Sequence, residues 1–265
     1  MRVFASLLAA SLALLPGAGP AAAAPRRVAS LNLCTDELLL LLAAPGQIAS
    51  VTHLAQQEAE TPLWREASRY PRNDGSLLSV VELRPDLIVT MGGGTRDRLG
   101  IASRLGIRTL DLVFAQTLGE VAENVRRLAG AIGRPAAGAA VLRRMSQLIR
   151  SRPSRTIDTI WLGGGGRTVA ASGLEAQWMA LAGLRQRPLR GDRVPLETLI
   201  ASPPALLLRS DYRAGQYSNG QRWLAHPAAR FAASVRTLPT DGRRWTCLGP
   251  LLFEEIERLR REVRQ

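Results

Sequence analysis

The chain has 265 residues, 35 basic against 22 acidic side chains, a formal net charge of +13, and 46% hydrophobic residues. This is the composition of a globular chain with a sizeable core rather than of a disordered one, and nothing in it reads as a nucleic-acid recognition motif. Two histidines (His53 and His226) are too few for a bare transition-metal site built from several converging imidazoles.

The chain opens with an export pattern. Arg2 supplies the positive end, Leu7 to Leu15 the apolar middle, and Ala21 to Ala24 a small-residue cleavage site. The apolar run breaks at Pro16-Gly17 and is too short to span a bilayer. With no cysteine at the cut, a lipid-anchored form is not expected. Residues 1–24 are therefore predicted to be a signal peptide, cleaved near Ala24, and the mature chain is placed in the periplasm. Every basic residue is arginine. Spread out, these arginines make a solvated surface, and gathered, they attract anionic ligands or membrane surfaces.

Arg27-Val-Ala-Ser-Leu31 reads as a first strand, followed by a helix over Glu37–Ala43 with Thr35 or Asp36 as N-cap. Gln47 to Thr52 is a second strand. Residues 53–74 are polar and loop-like and carry His53, Trp64 and Tyr70. Leu78-Ser-Val-Val-Glu-Leu-Arg-Pro-Asp-Leu-Ile-Val89 then predicts a short amphipathic helix, a proline stop and a buried strand. A glycine run from Gly92, a helix to Leu105 and a strand over 106–111 follow. Thr117-Leu-Gly-Glu120 is a capping-box signature before the helix Val121–Ile132, and a second helix runs to about Arg150. Beyond it lie a strand (156–162), the run Gly163–Gly166, a helix (174–182) and a second copy of the helix–proline–strand phrase. In that copy Glu197 falls on Leu78, Pro204 on Pro85, and Leu206-Leu-Leu208 on Leu87-Ile-Val89. A helix carrying Trp223, a strand over 235–238, the loop Asp241–Pro250 and a closing helix to Arg264 complete the chain.

Alternation of strand and helix implies largely parallel sheets, and the repeated phrase implies two similar lobes. The expected class is α/β: two Rossmann-like lobes, residues 25–133 and 153–265, joined by one long helix over 134–152, with a ligand cleft between them. Ligands of open parallel sheets sit beyond the carboxyl ends of the strands. That rule selects Asn32, Cys34, Thr35, His53, Trp64, Tyr70, Gly93, Gly94 and Arg96 from the first lobe. From the second it selects Gly164, Gly165, Arg167, Tyr212, Arg213, Tyr217, Arg243, Arg244 and Trp245. Aromatic rings there would stack on a chelate and arginines would fork onto carboxylates or phosphate. The glycine runs lack a following Lys-Ser/Thr, so they read as places where backbone approaches a bulky ligand, not as phosphate loops. Trp161 and Trp178 read as core. Cys34 and Cys247, one per lobe, are open to three readings: a cross-cleft disulfide, a pair of soft ligands, or unrelated thiols. The disulfide is favoured, and Cα atoms more than about 7 Å apart would exclude it.

The order of these parts resembles a family. Arg27-Val-Ala-Ser-Leu…Thr35-Asp-Glu-Leu, Leu83-Arg-Pro-Asp-Leu-Ile-Val, Leu105-Gly-Ile-Arg, Ala182-Gly-Leu and Trp223-Leu-Ala-His-Pro-Ala are similar to the periplasmic substrate-binding proteins of ABC importers for iron–siderophores and vitamin B12. The resemblance covers nearly all of the mature chain and lies in the order of the motifs, none of which is catalytic. It implies a monomeric receptor with no cofactor of its own and no enzymatic activity. Such a receptor captures a ferric-siderophore-type chelate, or alternatively a corrinoid or haem, and delivers it to an inner-membrane permease dimer with its ATPase. It also implies a docking glutamate on each lobe. Glu197 matches the second-lobe position; the first-lobe position is Leu78, and Glu82, one helical turn on, is the expected substitute. An exported hydrolase is the rival class, but Gly-x-Ser-x-Gly is missing. A third is a redox or haem-handling protein using Cys34, Cys247 and His53.

Overall fold

The computed structural model describes residues 24–93, 96–212 and 235–264. The predicted residues Gly94, Arg213 and Tyr217, the helix carrying Trp223, and the export segment before residue 24 lie outside these. Among the described residues no helix is long and apolar enough to cross a membrane.

The three central strands of the first sheet are short runs buried on both faces, as parallel strands require. Its strands are β1 (Val28–Ser30), β2 (Ile48–Thr52), β3 (Arg72–Asn73), β4 (Leu87–Met91) and β5 (Arg108–Leu112). They pair in the order β3-β2-β1-β4-β5, all parallel. Helix α1 (Leu33–Leu42), with Leu38, Leu39 and Leu42, covers one face. Helices α3 (Leu78–Val81) and α4 (Arg96–Arg104) cover the other through Val80 and Ala102. A one-turn helix, α2 (Trp64–Ala67), sits in the loop that leads to β3. Strand β3 and this turn fall in a stretch that reads as plain loop by composition.

The connection between sheets is a helical hairpin. Helix α5 (Leu118–Ala131) starts at Thr117, whose Oγ1 accepts the Glu120 amide at 3.1 Å while Glu120 Oε2 accepts the Thr117 amide at 3.2 Å. This is the predicted capping box. Gly133, in the left-handed region at φ 67°, turns the chain, and Pro135 opens α6 (Pro135–Arg150) where its missing N–H is not needed. Both helices serve two cores. Val121 packs with the second-lobe core, and Val125, Leu128 and Ile132 pack with the first. Val141 on α6 touches both. Helix α6 is the long helix expected between the lobes, and α5 packs alongside it.

The second sheet comprises β6 (Ile157–Leu162), β7 (Leu184–Gln186), β8 (Leu206–Ser210) and β9 (Arg236–Thr240), in the order β7-β6-β8-β9, again all parallel. Helices α7 (Leu174–Leu181) and α9 (Leu252–Val263) cover one face around the fully buried Trp178, and α8 (Leu196–Ala201) covers the other through Leu199. The repeated phrase holds equivalent places in both lobes: α3–β4 pairs with β1, and α8–β8 pairs with β6.

Because α5 is shared by both cores, weakening its start should loosen both. Thr117→Ala is expected to lower the unfolding free energy by about 1 kcal/mol, read as an earlier midpoint in urea. An unchanged midpoint would show that the cap contributes nothing.

Candidate ligand-binding cleft

In two parallel sheets every strand points the same way, so the carboxyl ends form one rim per lobe. The two rims face each other and are joined. Cys34, in the first turn of α1, is bonded to Cys247, in the loop after β9, with Sγ–Sγ 2.16 Å and Cα–Cα 5.1 Å. Around this bridge runs a polar seam. Tyr212 Oη donates to Glu60 Oε2 at 2.8 Å, and Arg243 Nη1 donates to the Glu58 carbonyl at 2.9 Å. At the start of α5, the Leu118 amide donates to Gln177 Oε1 at 3.2 Å, and Gln177 Nε2 donates to the Gln116 carbonyl at 3.0 Å.

Beside the disulfide lies a cavity of about 310 Å3 between the lobes. Leu38, Met91, Phe114 and Val121 form its first-lobe and α5 walls, and Leu248 and Leu251 its second-lobe wall. Phe114 is 57% exposed and lies against the backbone at Gly92. A Cβ at Gly92 would fall 2.1 Å from the ring, and φ there is +91°, so glycine is required twice over. Asn124 lines the cavity too, but its amide is already spent on both the N–H and C=O of Val113.

Two adjacent carboxyls on α1 sit under this region. Asp36 is fully buried and accepts from the amide and hydroxyl of Thr52. Burial pushes it up to about 7 against the pull of its hydrogen bonds from Ser30 and Thr52. Glu37 is 3% exposed, accepts from Thr61 Oγ1 at 2.7 Å, and lines the cavity. Burial pushes it up to about 8; Thr61 and the Arg244 charge oppose this, and the Asp36 and Asp241 charges reinforce it. Asp241 is also raised by burial, but the bidentate Arg243 and nearby Arg244 bring it below the usual carboxylate range.

Several residues predicted for the ligand are committed to the framework instead. Asn32 is the N-cap of α1, accepting the Cys34 amide at 2.9 Å, a role that the sequence reading gave to Thr35 or Asp36. Thr35 is fully buried, its hydroxyl held by the Asn32 carbonyl and Ser30. Trp245 is buried in the second-lobe core, with Nε1 donating to Thr240 Oγ1 at 2.7 Å. Arg244 is tied to the Leu251 carbonyl and Glu254, Arg243 to Asp241, and the exposed Arg167 to Asp192. An arginine already paired with a carboxylate has lost most of its pull on an added anion.

Others stay near the rims. His53 is exposed at the end of β2. Trp64 is half-buried at the start of α2 with the Arg65 guanidinium 5.0 Å from its ring centroid. Tyr70 leans on the first-lobe core, and burial raises its pKa. The Gly93 amide donates to Asp111 Oδ2 at 2.9 Å. Gly164 and Gly165 form a turn after β6, where the Gly165 carbonyl accepts from Arg193 at 2.8 Å. Arg96 opens α4, and its side chain lies outside the described atoms. Glu82 and Glu197 are exposed at the end of α3 and in the first turn of α8, and Leu78 is 82% exposed. Trp178 is core, as expected. Trp161 packs half-buried against the same core, its Nε1 without a described partner. Sequence reasoning missed Glu37, Met91 and Phe114. The signal for Glu37 was an acid pair opening a leucine run, Asp36-Glu37-Leu-Leu-Leu-Leu-Leu.

The motif order and the paired parallel sheets have a counterpart among known proteins. Residues 28–156 match the periplasmic binding protein family. Solved periplasmic binding proteins share the fold across both lobes. The periplasmic heme binding protein HutB of Vibrio cholerae superposes with a TM-score of 0.72 at 16% identity, covering 90% of this chain and 99% of its own. The periplasmic vitamin B12 binding protein BtuF of Vibrio cholerae gives 0.62 at 16%, covering 91% and 97%. The siderophore binding protein BauB, bound to ferric iron and two acinetobactin molecules, gives 0.68 at 13%, covering 90% and 93%. No curated protein matches the chain in sequence.

Two outcomes follow for stability. Unfolded, Asp36 and Glu37 ionise near 3.8 and 4.5; folded, they hold their protons to about 7 and 8. Their contribution is complete below about pH 4 and is lost as pH rises through 7 and 8. Asp241 has the opposite sign, its contribution being lost on acidification. The melting temperature should therefore peak in mild acid and fall toward pH 9, and Glu37→Gln should flatten the alkaline limb; a limb unchanged in that variant would refute the assignment. The disulfide spans 213 positions, so replacing both cysteines by serine should cost about 2–4 kcal/mol in denaturant unfolding. A loss well under 1 kcal/mol would mean the lobes need no such tie.

Proposed function

We propose that the chain is the solute-binding component of an ABC importer. It captures a metal chelate between its lobes and hands it to a membrane permease without covalent chemistry. The observation that carries this reading is the meeting of both strand-end rims across one interlobe cavity. The fold it shares with HutB, BtuF and BauB supports it, since their names record heme, vitamin B12 and a ferric siderophore.

A ferric siderophore is the first ligand class, on the ground of the many arginines. One observation favours the second, a corrinoid or haem. Arg167, Arg243 and Arg244 are bound to Asp192, Asp241 and Glu254, and the cavity walls are mainly apolar. A chelate with little net charge suits such walls better than a polyanion does. Residues 1–24 serve as a cleaved export signal and put the monomeric receptor in the periplasm. The lobes correspond to 25–133 and 153–265 with the connector at 134–152. Glu197, and Glu82 in place of the acid that Leu78 does not supply, face the permease.

A thermal-shift panel on the mature, oxidised protein tests the reading with cyanocobalamin, cobinamide, haemin and ferric siderophores. Saturating ligand at a hundredfold over its Kd adds about 2.7 kcal/mol, so one chelate should raise the melting temperature by several degrees. Corrinoid or haem stabilisation would select the second reading. No shift with any member of the panel would overturn the receptor assignment.

A further inference from the structure

Among the described residues, Glu37 is the one ionisable side chain on the wall of the interlobe cavity. It is nearly fully buried, yet its hydrogen bonding is incomplete. Thr61 Oγ1 satisfies Oε1 at 2.7 Å, and no described residue hydrogen-bonds Oε2. Its neighbour Asp36 differs: both of its oxygens are held by Thr52, and it does not line the cavity. That second oxygen is not sealed in the core: it can be reached from the cavity, where a ligand can take the hydrogen bond that water would otherwise fill. On the same wall the Asn124 amide is already bonded to Val113.

We propose that Glu37 is the polar anchor of the cavity, donating a hydrogen bond from its second carboxyl oxygen to an uncharged carbonyl-type oxygen of the ligand while the ligand's apolar edge packs on Leu38, Met91, Phe114 and Leu248. The inference rests on the interlobe cavity being the ligand site. The chemistry it selects is a neutral acceptor: a carboxamide such as those fringing a corrinoid, or an amide carbonyl in the backbone of a siderophore. Both are met by a carboxyl that keeps its proton.

The proton stays because of where the side chain lies. On its own helix Glu37 faces Asp36. From the loop after β2 it faces Thr61, with Glu58 and Glu60 in the same seam, and from the loop after β9 it faces Asp241 and Arg244. Arg244 is the cation of this set, and it is also bound to Glu254 and the Leu251 carbonyl. Burial and the two aspartates therefore outweigh it and hold the carboxyl neutral to about pH 8. Above that the group becomes a carboxylate and repels the oxygen it held.

The test is binding of cyanocobalamin and ferrioxamine B, the first carrying side-chain carboxamides and the second uncoordinated backbone amides, at pH 6.5 and pH 9. Wild type, Glu37→Gln and Glu37→Ala are compared by titration calorimetry, with a cooperative melt confirming that each is folded. For whichever probe binds, wild-type affinity should fall about tenfold from pH 6.5 to 9, the size of one lost hydrogen bond. Glu37→Ala should show that loss at both pH values. Glu37→Gln, whose amide still donates, should keep its affinity at both. A purely structural Glu37 would not give a pH profile that the Gln variant abolishes. Binding that is independent of pH in the wild type, or as tight in Glu37→Ala, overturns the anchor and leaves the receptor reading intact. The wild-type pH comparison by itself needs no variant to fold. Failure of both probes to bind folded wild-type protein overturns the anchor for this ligand chemistry, and the wider panel then decides the receptor reading.

Discussion

The bond between Cys34 and Cys247 sets how far apart the two strand-end rims stand, and the cavity lies where it does because of that spacing. Cys34 belongs to the first turn of α1, so the bond pulls directly on the helix that caps the first sheet. Cys247 belongs to the loop between β9 and α9, so it pulls on the last crossing of the second. The hydrogen bonds of Tyr212 and Arg243 to the 58–60 loop lie along the same line. Any opening of the lobes must therefore turn about this seam and the α5–α6 hairpin, and cannot be a simple parting of two halves. Hinge motions use a few positions that absorb the change, and here the covalent tie removes one flank from that set.

The same corner explains the unusual protonation of α1. Glu37 is buried where Thr61 of the 58–61 loop and the charges of Asp241 and Arg244 meet it, and Asp36 is buried against Ser30 and Thr52, so both carboxyls are stripped of water. Desolvation favours the neutral form, and two neighbouring carboxyls that resist ionising together reinforce it. Asp241, in the loop after β9 that faces Glu37, goes the other way because Arg243 grips it with two nitrogens. Carboxyls of both behaviours stand close together because arginine hydrogen-bonds Asp241 directly and reaches Glu37 only through its charge.

Much of this architecture is legible in the amino-acid order, for reasons that differ by element. The helix–proline–strand phrase is readable because Pro85 and Pro204 stop the helices and the strands are continuous apolar runs. The Thr117–Glu120 cap is readable because its chemistry is local. Strands β3 and β7 are not, being two and three residues long on sheet edges, too short for any period to show. The site was harder. Which residues lie past the strand ends follows from topology, but which of them are free does not. Arg243 and Arg244 look like anion ligands until Asp241 and Glu254 are seen holding them. Trp245 looks like a cleft aromatic until the 3₁₀ turn at 242–245 carries it into the core. Conversely, Phe114 and Met91 read as ordinary apolar residues, and only tertiary packing puts them on a shared wall.

The two cysteines also constrain how the protein is made. A ribosome or translocation channel delivers Cys34 213 positions before Cys247, and the sequence has these two cysteines. Cys34 therefore meets no competing thiol between them, and it must wait through that length for its partner. Both lobes have to take shape before the two sulfurs meet at 5.1 Å between Cα atoms. The oxidised bond is thus a record of completed assembly.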